Sequence, residues 1–294
     1  MTVSLPRISF PSSTAFDSIY VIESLEPGAP RTGRDIHDNF LFPWASEEGG
    51  TETAYRFVND SSELFGLLAS IRDHTEKHGR APILQFDFHG NESHFSLASN
   101  ETLAWQDLAN PLAAINRASR FNLLIISSAC FGYYLGRVVP LGLRAPAWGI
   151  VGPKKGIKSD VLYSRLESFY RVLLEKRDLT EALERINPSL PYDRWTINVV
   201  PAEVLFCQAF RRLISNPSKS AAYGPNVNEM VAKFAPALGM DVTKTAALRD
   251  MIVSRFGDNR FWFEQTRRRY LMLDLFAENE SRFNLTYDQC CGAA

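Results

Sequence analysis

Short apolar runs alternate with amphipathic stretches of helical spacing as far as Pro201, and that alternation constrains the fold more than any other feature. Ile19-Tyr20-Val21-Ile22-Glu23, Ile83–Phe88, Leu123–Ser127, Ala147-Trp148-Gly149-Ile150-Val151 and Thr196-Ile197-Asn198-Val199-Val200 read as strands. Tyr55-Arg56-Phe57-Val58 alternates and reads as a shorter one, and His94-Phe95-Ser96-Leu97 suggests a small hairpin. Between them, Asn59-Asp60-Ser61-Ser62 offers N-caps to a helix reaching about Lys77, with Leu64, Leu67, Leu68 and Ile71 on one face and Gly79 and Pro82 marking its end. Ala104 to Ala118 repeats that spacing through Trp105, Leu108, Leu112 and Ile115, and Pro111 must kink it or start its second half. Ser159 to Lys176 and Leu179 to Ile186 are two further amphipathic helices.

Strands that alternate with helices predict an α/β fold with a mostly parallel central sheet and helices on both faces. The pattern changes after Pro201. Glu203–Ile214, Asn226–Phe234, Thr243–Phe256 and Asn259–Phe276 read as helices, and no convincing strand remains. The expected division is a domain over 1–203 and a helical appendage over 204–294.

Two of the apolar runs close on reactive residues. Ile83-Leu84-Gln85-Phe86-Asp87-Phe88 delivers His89-Gly90, and Asn122-Leu123-Leu124-Ile125-Ile126-Ser127 delivers Ser128-Ala129-Cys130-Phe131-Gly132. In open parallel sheets ligands bind outside the carboxyl ends of the strands, which is where both motifs fall. A thiol attacks as its thiolate and is only a few per cent ionised at neutral pH unless it is helped. Two sources of help are expected. Phe131 to Val139 reads as a short helix beginning after Cys130, whose N-terminus favours negative charge. An imidazole from His89 can take the proton and later protonate the leaving amine. Gly90, lacking a side chain, lets its backbone N–H approach a substrate carbonyl and, with the N–H of Cys130, form an oxyanion hole. Asp87 lies two residues before His89 on the same strand face. It either lines a pocket for a Lys or Arg side chain or orients backbone or a water near the site.

The Phe88-His89-Gly90 and Ser128-Ala129-Cys130-Phe131-Gly132 segments, 130 − 89 = 41 residues apart, resemble the caspase-like cysteine peptidases, and the bacterial CHAT-type branch most closely. Phe95-Ser96-Leu97-Ala98, Trp105-Gln106-Asp107-Leu108, Ser168 to Leu174 and Leu179 to Leu183 are similar to the hairpin and helices of that pattern, so the resemblance covers about residues 15–200. It implies a three-layer sandwich and peptide-bond hydrolysis by a dyad, with Cys130 as nucleophile, His89 as base and acid, and Gly90 stabilising the oxyanion. It also implies a protein substrate and, by analogy, a place in bacterial stress or antiviral defence. Two departures matter. Tyr133 to Pro146 is short, so a single uncleaved chain is expected. Metacaspases carry an acidic residue two positions before the nucleophile, whereas Ser128 stands there in this chain. Ser128 and Asp87 are therefore candidate substrate-contacting residues without an assigned preference. A catalytically inactive binding module and a Cys-dependent hydrolase of non-peptide bonds are the alternatives.

Other signals are mostly negative. A net charge of −1 provides no global attraction to nucleic acid or anionic membrane. No run is long enough for a bilayer span, the N-terminus does not read as a signal peptide, and a cytoplasmic location is expected. The four cysteines lack metal-ligand spacing, and neither a metal nor another cofactor is expected. Gly152 to Ser159 fails the phosphate-loop spacing and reads instead as an exposed basic loop at the rim of the site. Arg267-Arg268-Arg269 after Phe261-Trp262-Phe263 reads as the solvated face of an amphipathic helix rather than a nucleic-acid contact. The helices of the appendage are the candidate surface for a regulatory protein.

Overall fold

Every residue of β1 (Ser18–Ser24) is buried, and a strand buried on both faces has to lie inside a layered α/β structure. The computed structural model describes residues 16–48, 50–130, 132–138, 143–187, 196–214, 245–248 and 259–291. Contacts divide them into two compact units, one running to 205 and the other formed from 206 onward together with Arg144 and its neighbour.

The first unit is built on β1, β2 (Glu52–Phe57), β3 (Pro82–Gly90), β6 (Leu124–Ser127), β7 (Gly149–Pro153) and β8 (Ile197–Pro201). They lie in the order β2-β1-β3-β6-β7-β8, and a hairpin of β4 (His94–Ser96) and β5 (Thr102–Ala104) extends from the end of β3. All central pairings are parallel except β7 with β8. The reversal has a simple cause. Two helices, α5 (Ser159–Lys176) and α6 (Leu179–Ile186), connect β7 to β8 and pack on each other. One helix returns the chain for a parallel strand; a second turns it round once more.

Crossover handedness places the remaining helices. From β1 the chain steps one way to β2, and every later crossover steps the other way. With right-handed connections, α1 (Thr32–Ile36) and α2 (Phe42–Glu48) lie on one face, and α3 (Ser61–His78) and α4 (Ala109–Ala118) on the other. Contacts agree, since α3 packs on α4 and α5 packs on α1. The result is the expected three-layer α/β arrangement. Local chemistry sets the ends of α3. Asp60 accepts the Glu63 N–H at 3.0 Å, and Gly79 closes the helix in the left-handed conformation at φ +63°.

The order β2-β1-β3 means that β1 and β3 send their crossovers in opposite directions. Such a switch point leaves a crevice at the carboxyl ends of the two strands.

In the second unit, part of α7 (Ala202–Ile214), α8 (Asn259–Tyr270), α9 (Asn279–Arg282) and α10 (Tyr287–Cys291) surround an aromatic core of Phe206, Phe210, Phe263 and Tyr270. The arginine run of α8 is engaged within this unit. Arg267 is buried and donates to the Phe283 carbonyl at 3.0 Å and to Glu264 at 3.0 Å, while Arg268 pairs with Glu280 at 2.8 Å. The helix ends at Tyr270, short of the expected Phe276, and turns follow. The stretch Asn226–Phe234, and Thr243–Phe256 apart from 245–248, lie outside the described residues.

Candidate active site

Register aligns the two strands that deliver the motifs. β3 pairs with β6 from Ile83↔Leu124 to Phe86↔Ser127, a constant offset of 127 − 86 = 41. The Ser128 N–H donates to the Phe86 carbonyl at 2.7 Å. β6 ends at Ser127, and Cys130 follows in a turn closed by the Gly132 N–H to the Ala129 carbonyl at 3.0 Å. His89, at the end of β3, pairs with Ser96 of β4. Both residues therefore lie at the carboxyl edge of the sheet, and His89 shares with Asp87 the strand face that carries α1.

Gly90 stands against the Cys130 backbone. A Cβ at this position would lie 2.8 Å from the Cys130 carbonyl oxygen and 2.8 Å from Trp105 Cζ2. Trp105 cannot yield, because it is buried, its Nε1–H donates to the Asn91 carbonyl at 2.8 Å, and it stacks on Phe95 with ring centres 5.0 Å apart. Phe95 in turn stacks on Phe88 at 5.2 Å. Parity also orients the Gly90 amide. Phe86 uses its carbonyl toward β6, so Phe88 and Gly90 direct their backbone polar groups to the same side. The Gly90 N–H therefore faces the β6 side of β3.

Close packing fixes the turn that carries Cys130. A Cβ on Gly132 would overlap the Ser127 hydroxyl, and one on Gly152 would lie 3.1 Å from the Gly132 carbonyl carbon. The segment after Cys130 is a 3₁₀ helix, Gly132–Val138, rather than the expected α-helix. So short a 3₁₀ element has little macrodipole to offer a negative charge at Cys130. Cys130 itself is half-buried. The β7–α5 loop borders its sulfur, because a Cβ on Gly156 would sit 4.0 Å from Cys130 Sγ. Lys154, Lys155 and Lys158 of that loop are exposed, and the Lys154 ammonium lies 4.9 Å from the Tyr133 ring centre.

Asp87 faces Glu23 directly across the β1–β3 pairing, and both are buried. The N-terminal turn of α1 covers this acidic pair. The Gly33 N–H donates to Asp87 Oδ2, and the Arg34 N–H donates to Glu23 Oε2 at 3.1 Å. The Tyr55 hydroxyl donates to Glu23 Oε1 at 3.0 Å, and Arg31 Nε lies 3.8 Å from the same oxygen. Burial pushes the Asp87 carboxyl up to about 7; the Gly33 amide opposes this, while Glu23 and Asp35 add to it. Of the two readings of Asp87, this geometry supports the one in which it orients backbone. Its carboxyl is only 5 % exposed and is taken up by α1, rather than standing open to a Lys or Arg side chain. Ser128 is also buried, and neither its hydroxyl nor that of Ser127 has a partner among the described residues.

One contact was not anticipated. His89 Nε2 lies 3.0 Å from Glu26 Oε2 and 3.2 Å from Oε1. Glu26 follows β1 and begins the turn Glu26-Pro27-Gly28-Ala29, closed by the Ala29 N–H to the Glu26 carbonyl at 3.2 Å. Pro at the second position and Gly28 at φ +94° in the third make this a type II turn. The carboxylate of Glu26 is held below its usual range by its own backbone N–H and then by His89. The legible signal was an acid before Pro-Gly at the end of β1, across the switch point from His89.

Among the described residues, no group of three or more His, Cys, Asp or Glu is placed to hold a metal ion, and no helix is long and apolar enough to cross a membrane. The fold defines a three-layer α/β protein in which His89 ends β3 and Cys130 follows β6 at the carboxyl edge of the sheet. No protein-family model matches the chain, and no curated protein matches it either.

Proposed function

We propose that this chain is a cysteine endopeptidase of the caspase-like class that cleaves a protein substrate through His89 and Cys130. One observation carries the reading. Because β3 and β6 pair in parallel, His89 and Cys130 both follow apolar strands to the carboxyl edge of the sheet, where a Cβ on Gly90 would lie 2.8 Å from the Cys130 carbonyl oxygen. His89 takes the Cys130 proton, and the thiolate attacks the scissile carbonyl. The developing oxyanion is met by the N–H groups of Gly90 and Cys130. The imidazolium then protonates the leaving amine, and water, deprotonated by His89, releases the acyl-enzyme.

The resemblance to the CHAT-type branch supports a role in bacterial defence or stress signalling, with the helical unit as the surface for a regulatory protein. Four free thiols fit a reducing, cytoplasmic location. The test is labelling by a peptidyl acyloxymethyl ketone, with the adduct mapped by mass spectrometry. The expected result is a single adduct at Cys130 that is lost in His89→Ala. Absence of labelling, with a bound partner retained by Cys130→Ala, would make the domain a binding module. Labelling without cleavage of any peptide library would point to hydrolysis of another bond.

A further inference from the structure

We infer that Glu26 is the positioning carboxylate of His89, fixing which ring nitrogen does the chemistry. The inference rests on the reading of His89 as the base. A carboxylate can only accept, so His89 Nε2, 3.0 Å from Glu26 Oε2, carries the proton. Each ring nitrogen of a neutral imidazole has one role, so Nδ1 keeps the lone pair and is the atom that takes the Cys130 proton. When His89 becomes an imidazolium, the new positive charge forms beside an existing negative one. Glu26 thus favours the thiolate–imidazolium pair over the neutral pair, and it restrains the ring against rotation about its side-chain bonds.

The turn explains how an exposed pair can hold this geometry. Both side chains are more than half exposed, at 54 % for Glu26 and 56 % for His89. Their backbones, however, are fixed by the paired strands β1 and β3 and by the Pro27-Gly28 turn, so the two side chains search little space to meet. Other ionisable groups on elements bordering His89 are Asp87 beneath it on β3, Glu92 and His94 in the β3–β4 turn, Cys130 after β6, and Lys154, Lys155 and Lys158 on the β7–α5 loop. Among the described residues, Glu26 is the ionisable group that meets the His89 ring at hydrogen-bond distance.

The test separates this role from the peptidase reading. The tautomer of neutral His89 is read from its ring ¹⁵N chemical shifts in a Cys130→Ala background, which needs neither thiol nor substrate. Glu26→Gln keeps an acceptor oxygen but loses the charge, and Glu26→Ala loses both. The proton is expected on Nε2, and Glu26→Ala should shift the population toward the Nδ1–H form. With Cys130 present, iodoacetamide alkylation at pH 7 should slow about threefold in Glu26→Ala, with Glu26→Asp restoring part of the loss. The thermal midpoint should not move, because the side chain is exposed. A proton on Nδ1 in the parent, or an alkylation rate unchanged in both Gln and Ala variants, would overturn the inference. The expected tautomer and the slowed alkylation in a protein that the peptidyl ketone fails to label would uphold Glu26 and remove only the peptidase.

Discussion

Replacing Asp87 by Asn should make the protein more stable at alkaline pH and leave it nearly unchanged at acid pH. Asp87 is 5 % exposed, faces Glu23 across the strand pair, and has its carboxyl pushed from 3.8 to about 7. Below pH 4 the group is protonated in folded and unfolded chains alike and contributes nothing. As pH rises through 4, the unfolded chain releases its proton while the folded chain retains it, so stability falls. The loss continues to about pH 7 and is then complete. At about 1.4 kcal/mol per pH unit, the full loss is about 4 kcal/mol. Asn escapes it because its amide never ionises. Its Oδ1 can still accept from the Gly33 N–H, and its Nδ2–H can donate toward Glu23. The assay is urea unfolding of wild type and Asp87→Asn at pH 4 and pH 8. The variant should lead by several kcal/mol at pH 8 and by under about 1 kcal/mol at pH 4. If the gap is flat, or if wild type gains on the variant as pH rises, Asp87 is an ordinary ionised carboxylate held by the α1 amides, and the argument from burial fails. The same variant should leave a peptide-cleavage profile unchanged, because the carboxyl is turned to α1.

Three further outcomes follow from packing around the site. Gly90→Ala must displace either the Cys130 carbonyl or the pinned Trp105 ring, each 2.8 Å from the new carbon; it should cost about 1–3 kcal/mol in denaturant unfolding and slow Cys130 labelling at least about tenfold through the disturbed oxyanion donor. Gly132→Ala overlaps the Ser127 hydroxyl and should destabilise by a similar ~1–3 kcal/mol. Ser127→Ala, which removes a buried hydroxyl without a partner among the described residues, should be near neutral alone and should rescue part of the Gly132→Ala loss in a double-mutant cycle.

Much of this fold could be read along the chain because its causes are local. α5 and α6 run over the expected residues, Ser159–Lys176 and Leu179–Ile186, since their apolar residues repeat at helical spacing. The same holds for the carboxyl ends of β3 and β6, where an apolar run gives way to a reactive residue and glycine. β2 begins at Glu52, earlier than the expected Tyr55, because an edge strand has too little buried surface to imprint a pattern on its first residues. The reversed direction of β8 was implicit in two consecutive helices before it, yet strand direction is a property of pairing and not of composition.

The local sequence by itself determined that apolar strands deliver His89 and Cys130 to their carboxyl ends. Tertiary structure alone decided their neighbours. The parallel pairing of β3 with β6, the approach of Glu26 to an imidazole 63 residues away, and the sealing of Asp87 under α1 all depend on segments distant in sequence. Burial and charge pairing act through space, so a residue's protonation and its usefulness as acid, base or scaffold are set only once the sheet has chosen its register.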